Sequence, residues 1–295
     1  MNLQTTDYSR EARFLKDCAD RKSAQGKACN VAKMADGAII VTSEDMLCLQ
    51  EGESIGSEVI DCYLQILEGQ SNAGLDISKR RILVVQCAFG GTFDPAHGLA
   101  FEDHYFKYLW RENWYMWKGV NFLSVDKVYI PWYTKCTTHW SMVVVNKLKR
   151  RFEYYNSWLQ DPTRCTERCT PRYLRDFHGM LLFISKFVAW QSKQEGIARL
   201  LEQSGIKSTS GWGWFFPTPT LKEVGNLSVD EIPGQRKMCD CGVFLCTYVK
   251  YLSEARPWDF THKDVPKLRL MMVRDIVTTF NLQRLPGVDT PDDME

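Results

Sequence analysis

The feature that most limits the fold is a set of three short runs rich in β-branched and aromatic residues near the middle of the chain. They cover residues 127–130, 140–145 and 152–155. Runs of this length and composition are typical of buried β-strands. Residues 147–151, between the second and third runs, include four basic residues and are predicted to form a solvated turn. The two flanking strands should therefore pair as an antiparallel hairpin.

Other segments of the chain have the periodicity of helices. Helices are predicted over residues 43–67, 101–110, 171–191, 242–252 and 267–280. Residues 81–86 are predicted to form a further buried strand, and the aromatic residues 211–219 a loop. A central sheet with helices around it fits this order of elements, which indicates a mixed α and β fold.

A single domain, large enough to be a catalytic domain, should occupy residues 37–285. Residues 1–36 are polar and weakly periodic, so we expect a flexible or loosely packed extension. Residues 286–295 form an acidic segment with two prolines, for which we expect a disordered tail.

Charge and cysteine content limit the partners and the compartment. Lys and Arg number 37 against 36 Asp and Glu, so the basic excess typical of nucleic-acid-binding proteins is missing. No apolar run approaches the ~20 residues of a membrane helix. The eleven cysteines are scattered and no apolar signal region follows Met1, which favours an intracellular, reducing compartment. No pair of cysteines has a second pair at zinc-binding spacing, so we expect neither a metal nor another cofactor.

Three local clusters carry the groups that thiol chemistry needs. His139 and Trp140 stand where a loop enters a strand, Asn156 follows the next strand, and Gln235 lies six residues before Cys241, where a loop enters a helix. A nucleophilic cysteine needs a lowered pKa, which the positive end of a helix supplies. A histidine must take its proton, and a third group must fix the histidine tautomer. A side-chain amide can donate to the oxyanion that forms on attack.

This chemistry predicts Cys241 as the nucleophile, His139 as its base, Asn156 as the group that orients the imidazole, and Gln235 as an oxyanion donor. The predicted hairpin would bring His139 and Asn156 together at neighbouring strand ends. Gly242 would let a substrate backbone approach closely. Each assignment has a plainer alternative: an inert buried thiol, a structural histidine, an asparagine that caps a turn, and an ordinary loop amide.

At these residues the chain resembles the ubiquitin-like-protein-specific proteases, the clan of the SUMO proteases and the adenovirus protease. The family pattern is His-Trp, then Tyr-Tyr-Asp-Ser with the aspartate seventeen residues after the histidine, then Gln-x5-Cys-Gly. The matching residues are His139, Trp140, Tyr154, Tyr155, Asn156, Ser157, Gln235, Cys241 and Gly242. Arg269 also matches the family's closing helix, and the similarity covers roughly residues 40–280. The resemblance implies an α+β, papain-like cysteine protease fold with a central mixed sheet flanked by helices.

The resemblance also implies an activity. The chain would be a cysteine peptidase that hydrolyses the peptide or isopeptide bond after the C-terminal tail of a ubiquitin-like modifier. SUMO is the first expectation for that modifier, and ubiquitin or another relative is the second. Trp140 would cover a narrow channel for a Gly-Gly tail, with core packing as its alternative role. We expect a monomer in the nucleus or cytoplasm, with delivery into a host cell as the other possibility.

The chain departs from the family pattern at three places. Asn156 replaces the aspartate, residues 54–57 replace Trp-Leu-Asn-Asp, and residues 237 and 238 replace Asn-Gly. An amide orients an imidazole but stabilises the imidazolium less than a carboxylate does. The changes at Asn156 and Ser54 leave open an inactive relative that only binds a ubiquitin-like protein. A clan-related acetyltransferase using the same cysteine and histidine is a further alternative, and Asp240 is predicted to be a loop or helix-capping carboxylate.

Overall fold

The computed structural model describes residues 6–25, 29–33, 39–76, 80–91, 103–112, 120–135, 137–159, 170–194 and 196–281 of the 295-residue chain. The α-helices in this part of the chain are α1 (Ser9–Gln25), α2 (Ser43–Met46), α3 (Ser57–Ser71), α4 (Ala88–Gly91), α5 (Asp103–Glu112), α6 (Thr170–Ser192), α7 (Ile197–Gln203), α8 (Cys241–Ser253) and α9 (Val265–Thr279). The strands are β1 (Asn30–Lys33), β2 (Ile40–Thr42), β3 (Ile82–Val84), β4 (Lys127–Thr134), β5 (His139–Asn146), β6 (Arg151–Tyr155), β7 (Gly213–Phe215), β8 (Thr218–Thr220) and β9 (Glu231–Pro233). Single 3₁₀ turns cover Leu47–Leu49, Phe122–Ser124, Met238–Asp240 and His262–Asp264.

A five-stranded mixed sheet forms the centre, with the strand order β3-β4-β5-β6-β7. The strands β4, β5 and β6 are antiparallel, while β3 and β7 run parallel to their neighbours at the two edges. The three runs predicted from composition are the three central strands. The predicted hairpin is confirmed, because Met142 pairs with Tyr155 and Asn146 pairs with Arg151.

Both faces of the sheet are covered, so successive residues of β5 enter different cores. Met142 and Val144 belong to a first core that includes side chains of α1, α3, α8 and α9. Val143 and Val145 belong to a second core built from α5, α6 and α7. All eight residues of β5 are buried as a result. The observed layers are the predicted ones, a central mixed sheet flanked by helices.

The described parts of residues 1–36 contradict the expectation of a loosely packed extension. Helix α1 buries Phe14, Leu15 and Cys18 in the first core. Arg274 on α9 donates to a carboxylate oxygen of Glu11 at 2.7 Å, and β1 pairs with β2. The apolar stripe of α1 is narrow and its other positions are mostly charged, so the sequence shows little periodicity although the helix packs. The predicted tail at residues 286–295 lies outside the described residues.

The described part of the chain shows neither a membrane-spanning helix nor a metal-binding cluster. None of its helices combines the length and apolar character needed to span a bilayer. Within the same residues, no group of three or more His, Cys, Asp or Glu side chains is placed to hold a metal ion.

Replacing Phe14 with alanine tests whether α1 belongs to the folded domain. Phe14→Ala should lower the free energy of unfolding by about 3 kcal/mol, because it empties a buried ring position between α1 and the first core. Lys16→Ala, on the exposed side of the same helix, should change it by less than about 0.5 kcal/mol. Urea denaturation measures both. Equal stabilities would show that α1 does not contribute to the cooperative unit.

Candidate active site

The β5–β6 hairpin brings His139 and Asn156 together, as the strand pairing predicts. His139 is the first residue of β5, and Asn156 directly follows β6. The Nε2 atom of His139 lies 2.8 Å from the Oδ1 atom of Asn156. The same Oδ1 accepts a 2.9 Å hydrogen bond from the backbone N–H of Trp158, which identifies it as the oxygen of the amide. The Nε2 atom of the neutral ring therefore carries the hydrogen, and Nδ1 is its proton acceptor.

Cys241 begins α8, as predicted, and its sulfur lies at the start of β5. The sulfur accepts hydrogen bonds from the backbone N–H groups of Trp140 and Gly242. Because Trp140 directly follows His139, the nucleophile and base candidates occupy the same corner of the molecule. Cys241 is 3% exposed and His139 is 2% exposed, so both groups are nearly sealed from water.

Burial determines the protonation states of these two groups. It raises the pKa of the Cys241 thiol above its ordinary value, against the opposing effect of the backbone N–H groups around the sulfur. It also lowers the pKa of His139 to about 4, which the hydrogen bond with Asn156 partly offsets. Both shifts disfavour ions, so the resting pair consists of a neutral thiol and a neutral imidazole.

Gln235 is held by the segment that follows β6. Its backbone N–H donates to the carbonyl of Ser157 at 2.8 Å, and the Ser157 hydroxyl donates to its Oε1 at 2.6 Å. Its Nε2 atom consequently points into the loop before Cys241. There it donates to the carbonyl of Lys237 at 3.0 Å and lies 3.4 Å from the carbonyl oxygen of Met238. The structure thus places the donor atom of Gln235 in the loop that leads to Cys241.

Two glycines near Cys241 are closely packed against neighbouring residues. A Cβ atom on Gly234 would lie 2.8 Å from Cδ2 of Leu159 and 3.1 Å from the backbone nitrogen of Thr220. A Cβ atom on Gly242 would lie 3.0 Å from the Cβ of Ile55. The side chain of Ile55 is therefore the group that a side chain at position 242 would crowd. Close passage of a substrate backbone at that position stays a prediction.

The surroundings of Trp140 match its alternative role in core packing. Its side chain belongs to the first core, and its ring centroid lies 4.8 Å from that of Tyr133 on β4. Tyr133 is 38% exposed and forms the outer side of this aromatic pair. Ser54, where the family pattern has a second tryptophan, is exposed. The role of Trp140 as the cover of a channel stays a prediction.

A buried guanidinium holds the loop that precedes Cys241. Arg269 on α9 is 1% exposed, and it donates to the Oδ1 atom of Asp240 at 2.9 Å. It also donates to four backbone carbonyl groups, those of Cys48 at 2.9 Å, Gln50 at 3.1 Å, Glu53 at 2.7 Å and Cys239 at 3.2 Å. Asp240 makes no side-chain capping bond to α8. Its carboxylate instead balances the charge of Arg269, so the helix-capping alternative is wrong.

Trp158 is a site residue whose role the sequence motifs did not predict. Its ring centroid lies 5.4 Å from that of His139, with the two ring planes inclined by 37°. The register of the β5–β6 hairpin could have predicted this contact. Continuing the pairing of Met142 with Tyr155 by three residues places Trp158 opposite His139.

Comparison with known proteins identifies several relatives. A model of the Ulp1 protease family, C-terminal catalytic domain, matches residues 53–283. The chain is 23% identical over 239 residues to putative ubiquitin-like-specific protease 1B of Arabidopsis thaliana, covering 81% of this chain and 58% of the relative. It is 27% identical over 237 residues to sentrin-specific protease 2 of Mus musculus, covering 80% of this chain and 32% of the relative. The chain therefore matches less than two thirds of the length of either relative.

Solved structures with similar folds support the predicted fold class. The C-terminal Ulp1 protease domain in complex with Smt3, the yeast ortholog of SUMO, aligns with a TM-score of 0.57 at 16% identity, covering 92% of this chain and 96% of that one. The Ulp1-like SUMO protease catalytic domain of Chaetomium thermophilum aligns with a TM-score of 0.56 at 17% identity, covering 97% and 94%. These likenesses confirm the predicted α+β, papain-like fold.

Removing the buried guanidinium should be costly. Arg269→Met is expected to lower the free energy of unfolding by roughly 3–5 kcal/mol, because Asp240 would remain buried without a counter-charge. Adding Asp240→Asn should restore part of that loss. Arg274→Met, on the same helix but in a more exposed ion pair, should cost about 1 kcal/mol or less. Urea denaturation measures all three, and equal losses for the two arginines would contradict the assignment.

His139 should make the fold sensitive to acid. Its pKa in the folded protein is about 4, below the ~6.5 of an unfolded chain, so protonation favours unfolding. The stability contributed by the neutral ring is complete above about pH 6.5 and is lost as the pH falls toward about 4. Between about pH 7 and pH 4, wild type should lose about 3 kcal/mol more stability than His139→Gln. Urea denaturation at both pH values tests this, and equal acid sensitivity would refute it.

Proposed function

The chain belongs to the Ulp1 protease family, and we propose that it is a thiol protease that hydrolyses the bond after the C-terminal tail of a ubiquitin-like modifier. The bond would be a peptide or an isopeptide to a lysine. The observation that carries the proposal is the meeting of two features at the start of β5. These are the hydrogen-bonded His139–Asn156 pair and the Cys241 sulfur at the N-terminus of α8.

The reaction needs the Cys241 proton to pass to Nδ1 of His139. The resulting thiolate attacks the carbonyl carbon of the last residue of the tail and forms a tetrahedral oxyanion. When this intermediate collapses, the C–N bond breaks and the leaving amine takes the proton from the imidazolium, which leaves a thioester on Cys241. Water then gives a proton to His139 and attacks the thioester, releasing the tail as a carboxylic acid and restoring the thiol.

Asn156 supports the first step by fixing the tautomer. Its Oδ1 accepts from Nε2 of His139, so the lone pair of Nδ1 is available for the thiol proton. Because burial favours the neutral forms of both groups, the thiolate would form together with the attack and would not persist in the resting enzyme.

The oxyanion would be stabilised from two directions. The backbone N–H groups at the start of α8 supply partial positive charge, and the amide of Gln235 supplies a second donor. In the resting structure Gln235 uses its nitrogen for the carbonyl groups of Lys237 and Met238. The 3.4 Å contact with Met238 is the weaker of the two, and it is the one that the oxyanion would replace.

SUMO is the modifier that we propose first. One solved structure of the same fold is a complex with Smt3, the yeast ortholog of SUMO, and another is named a SUMO protease. Ubiquitin or another relative comes second, because exposed Ser54 stands where the family has a tryptophan. The described cysteines are all free thiols, which supports a reducing compartment, and we propose a monomer in the nucleus or cytoplasm.

Capture by activity probes tests the proposal. SUMO and ubiquitin that each carry an electrophile at the C-terminus should be presented to the purified protein. We expect a covalent adduct with the SUMO probe that is lost in Cys241→Ala, since only the thiolate at position 241 can attack. Cys239→Ala, two residues away, should keep the adduct. Intact-protein mass spectrometry measures the adduct.

The other outcomes of this experiment separate the alternatives. An adduct with the ubiquitin probe alone would replace SUMO as the modifier. Saturable binding of both probes without an adduct would instead identify an inactive relative.

A further inference from the structure

Replacing the family's aspartate by Asn156 leaves a chemical need that a neutral amide does not meet. During attack His139 becomes an imidazolium inside a site where its ring is 2% exposed. Burial lowers the pKa of His139 and the bond to Asn156 raises it, and no charged side chain of the described residues adds to either effect. A buried cation without a counter-charge is costly. Another group should therefore compensate for the missing carboxylate.

Trp158 is placed to do so. Its indole lies 5.4 Å from the imidazole between ring centroids, within the ~6 Å over which an aromatic face attracts a cation. Its backbone N–H also donates to Oδ1 of Asn156 at 2.9 Å, so one residue contacts both His139 and the partner of His139. Tryptophan has the strongest face for this interaction among the aromatic side chains.

The position of Trp158 is itself fixed from the other side. The residue forms a β-bridge with Gln235, and the preceding Ser157 accepts from the Gln235 backbone and donates to the Gln235 side chain. The segment that carries the indole is therefore anchored between β5 and the loop that leads to Cys241. This anchoring explains how the ring keeps its place against His139 although Trp158 is only half-buried.

We propose that Trp158 is a positioning residue that stabilises the imidazolium form of His139 through its indole face, and that Asn156 and Trp158 together replace the carboxylate of the family pattern. The inference rests on the proposed thiol protease function. Other titratable groups on the packed elements do not supply this charge stabilisation. Tyr133 on β4 packs on Trp140, and Asp240 is held by Arg269.

The test is a double-mutant cycle read out by pH. The rate of Cys241 alkylation by chloroacetamide and the kcat/KM for a SUMO-derived substrate should be measured across pH for wild type, Trp158→Leu, Asn156→Asp and the double variant. Trp158→Leu should lower the plateau of both profiles roughly tenfold and move their acidic limb about one unit to lower pH, because His139 then holds a proton less well. In the Asn156→Asp background the same change should cost less than about threefold.

Two controls separate charge stabilisation from packing. Trp158→Phe keeps an aromatic face, so beside Asn156 it should lose only about threefold in rate, against roughly tenfold for Trp158→Leu, and should keep the wild-type acidic limb. Trp214→Leu removes an indole that stacks on Phe152 with centroids 5.0 Å apart, away from His139, and should leave the acidic limb in place. If Trp158→Leu does not fold, the comparison of wild type with Trp158→Phe in both backgrounds carries the test, with about a threefold loss expected beside Asn156 and none beside Asp.

The results that overturn the inference are distinct from those that overturn the function. A loss in Trp158→Leu that is the same with Asn156 and with Asp, without movement of the acidic limb, would show a purely structural role for the indole. A wild-type protein whose Cys241 neither reacts with chloroacetamide nor cleaves any modifier would overturn the proposed function, and this inference with it.

Discussion

In the β5–β6 hairpin Met142 lies opposite Tyr155, and this register sets His139 beside Asn156 and against Trp158. A slip of one residue would turn every side chain of β5 to the opposite face of the sheet. Such a slip is resisted by two cores at once, because Met142 and Val144 fill one while Val143 and Val145 fill the other. The position of His139 relative to Asn156 is thus set by apolar packing several residues away. Few further contacts are needed to hold the two side chains together.

The same hairpin shows what could be predicted from sequence and why. β-Branched runs, a basic turn and the helix that begins at Cys241 are local signals, so the pairing of His139 with Asn156 followed from them. The predicted helix over residues 43–67 is in fact two α-helices, α2 and α3, separated by residues 47–56. Arg269, more than 200 residues away, holds the backbone of this connection. The periodicity of residues 43–67 cannot predict this break, because the contact that causes it comes from a distant part of the chain. Helix α1 is hard to predict for a related reason. Its apolar stripe is narrow, and its role is clear only from its packing against α9 in the first core.

Few charged side chains lie near Cys241 among the described residues. Arg269 and Asp240 form a buried ion pair, and the hydrogen bonds to four carbonyl groups satisfy most of the remaining donors of the guanidinium. Cys241, His139 and Asn156 are all neutral at rest. A carboxylate at position 156 would add a buried charge that only a protonated His139 could balance. An amide avoids that cost in the resting protein, and in the proposed reaction charges would separate only while a substrate is attacked.

Four of the five groups that Arg269 binds are main-chain oxygens, which are the same whatever amino acid stands at positions 48, 50, 53 and 239. A substitution at one of these positions therefore leaves the carbonyl oxygen, and with it the hydrogen bond to Arg269, available. Residues 51–54 are exposed, so they can vary while the hydrogen bonds that hold the loop before Cys241 remain. The amino acids at positions 48, 50, 53 and 239 can thus differ while the backbone before Cys241 keeps its position, because Arg269 bonds to backbone oxygens there.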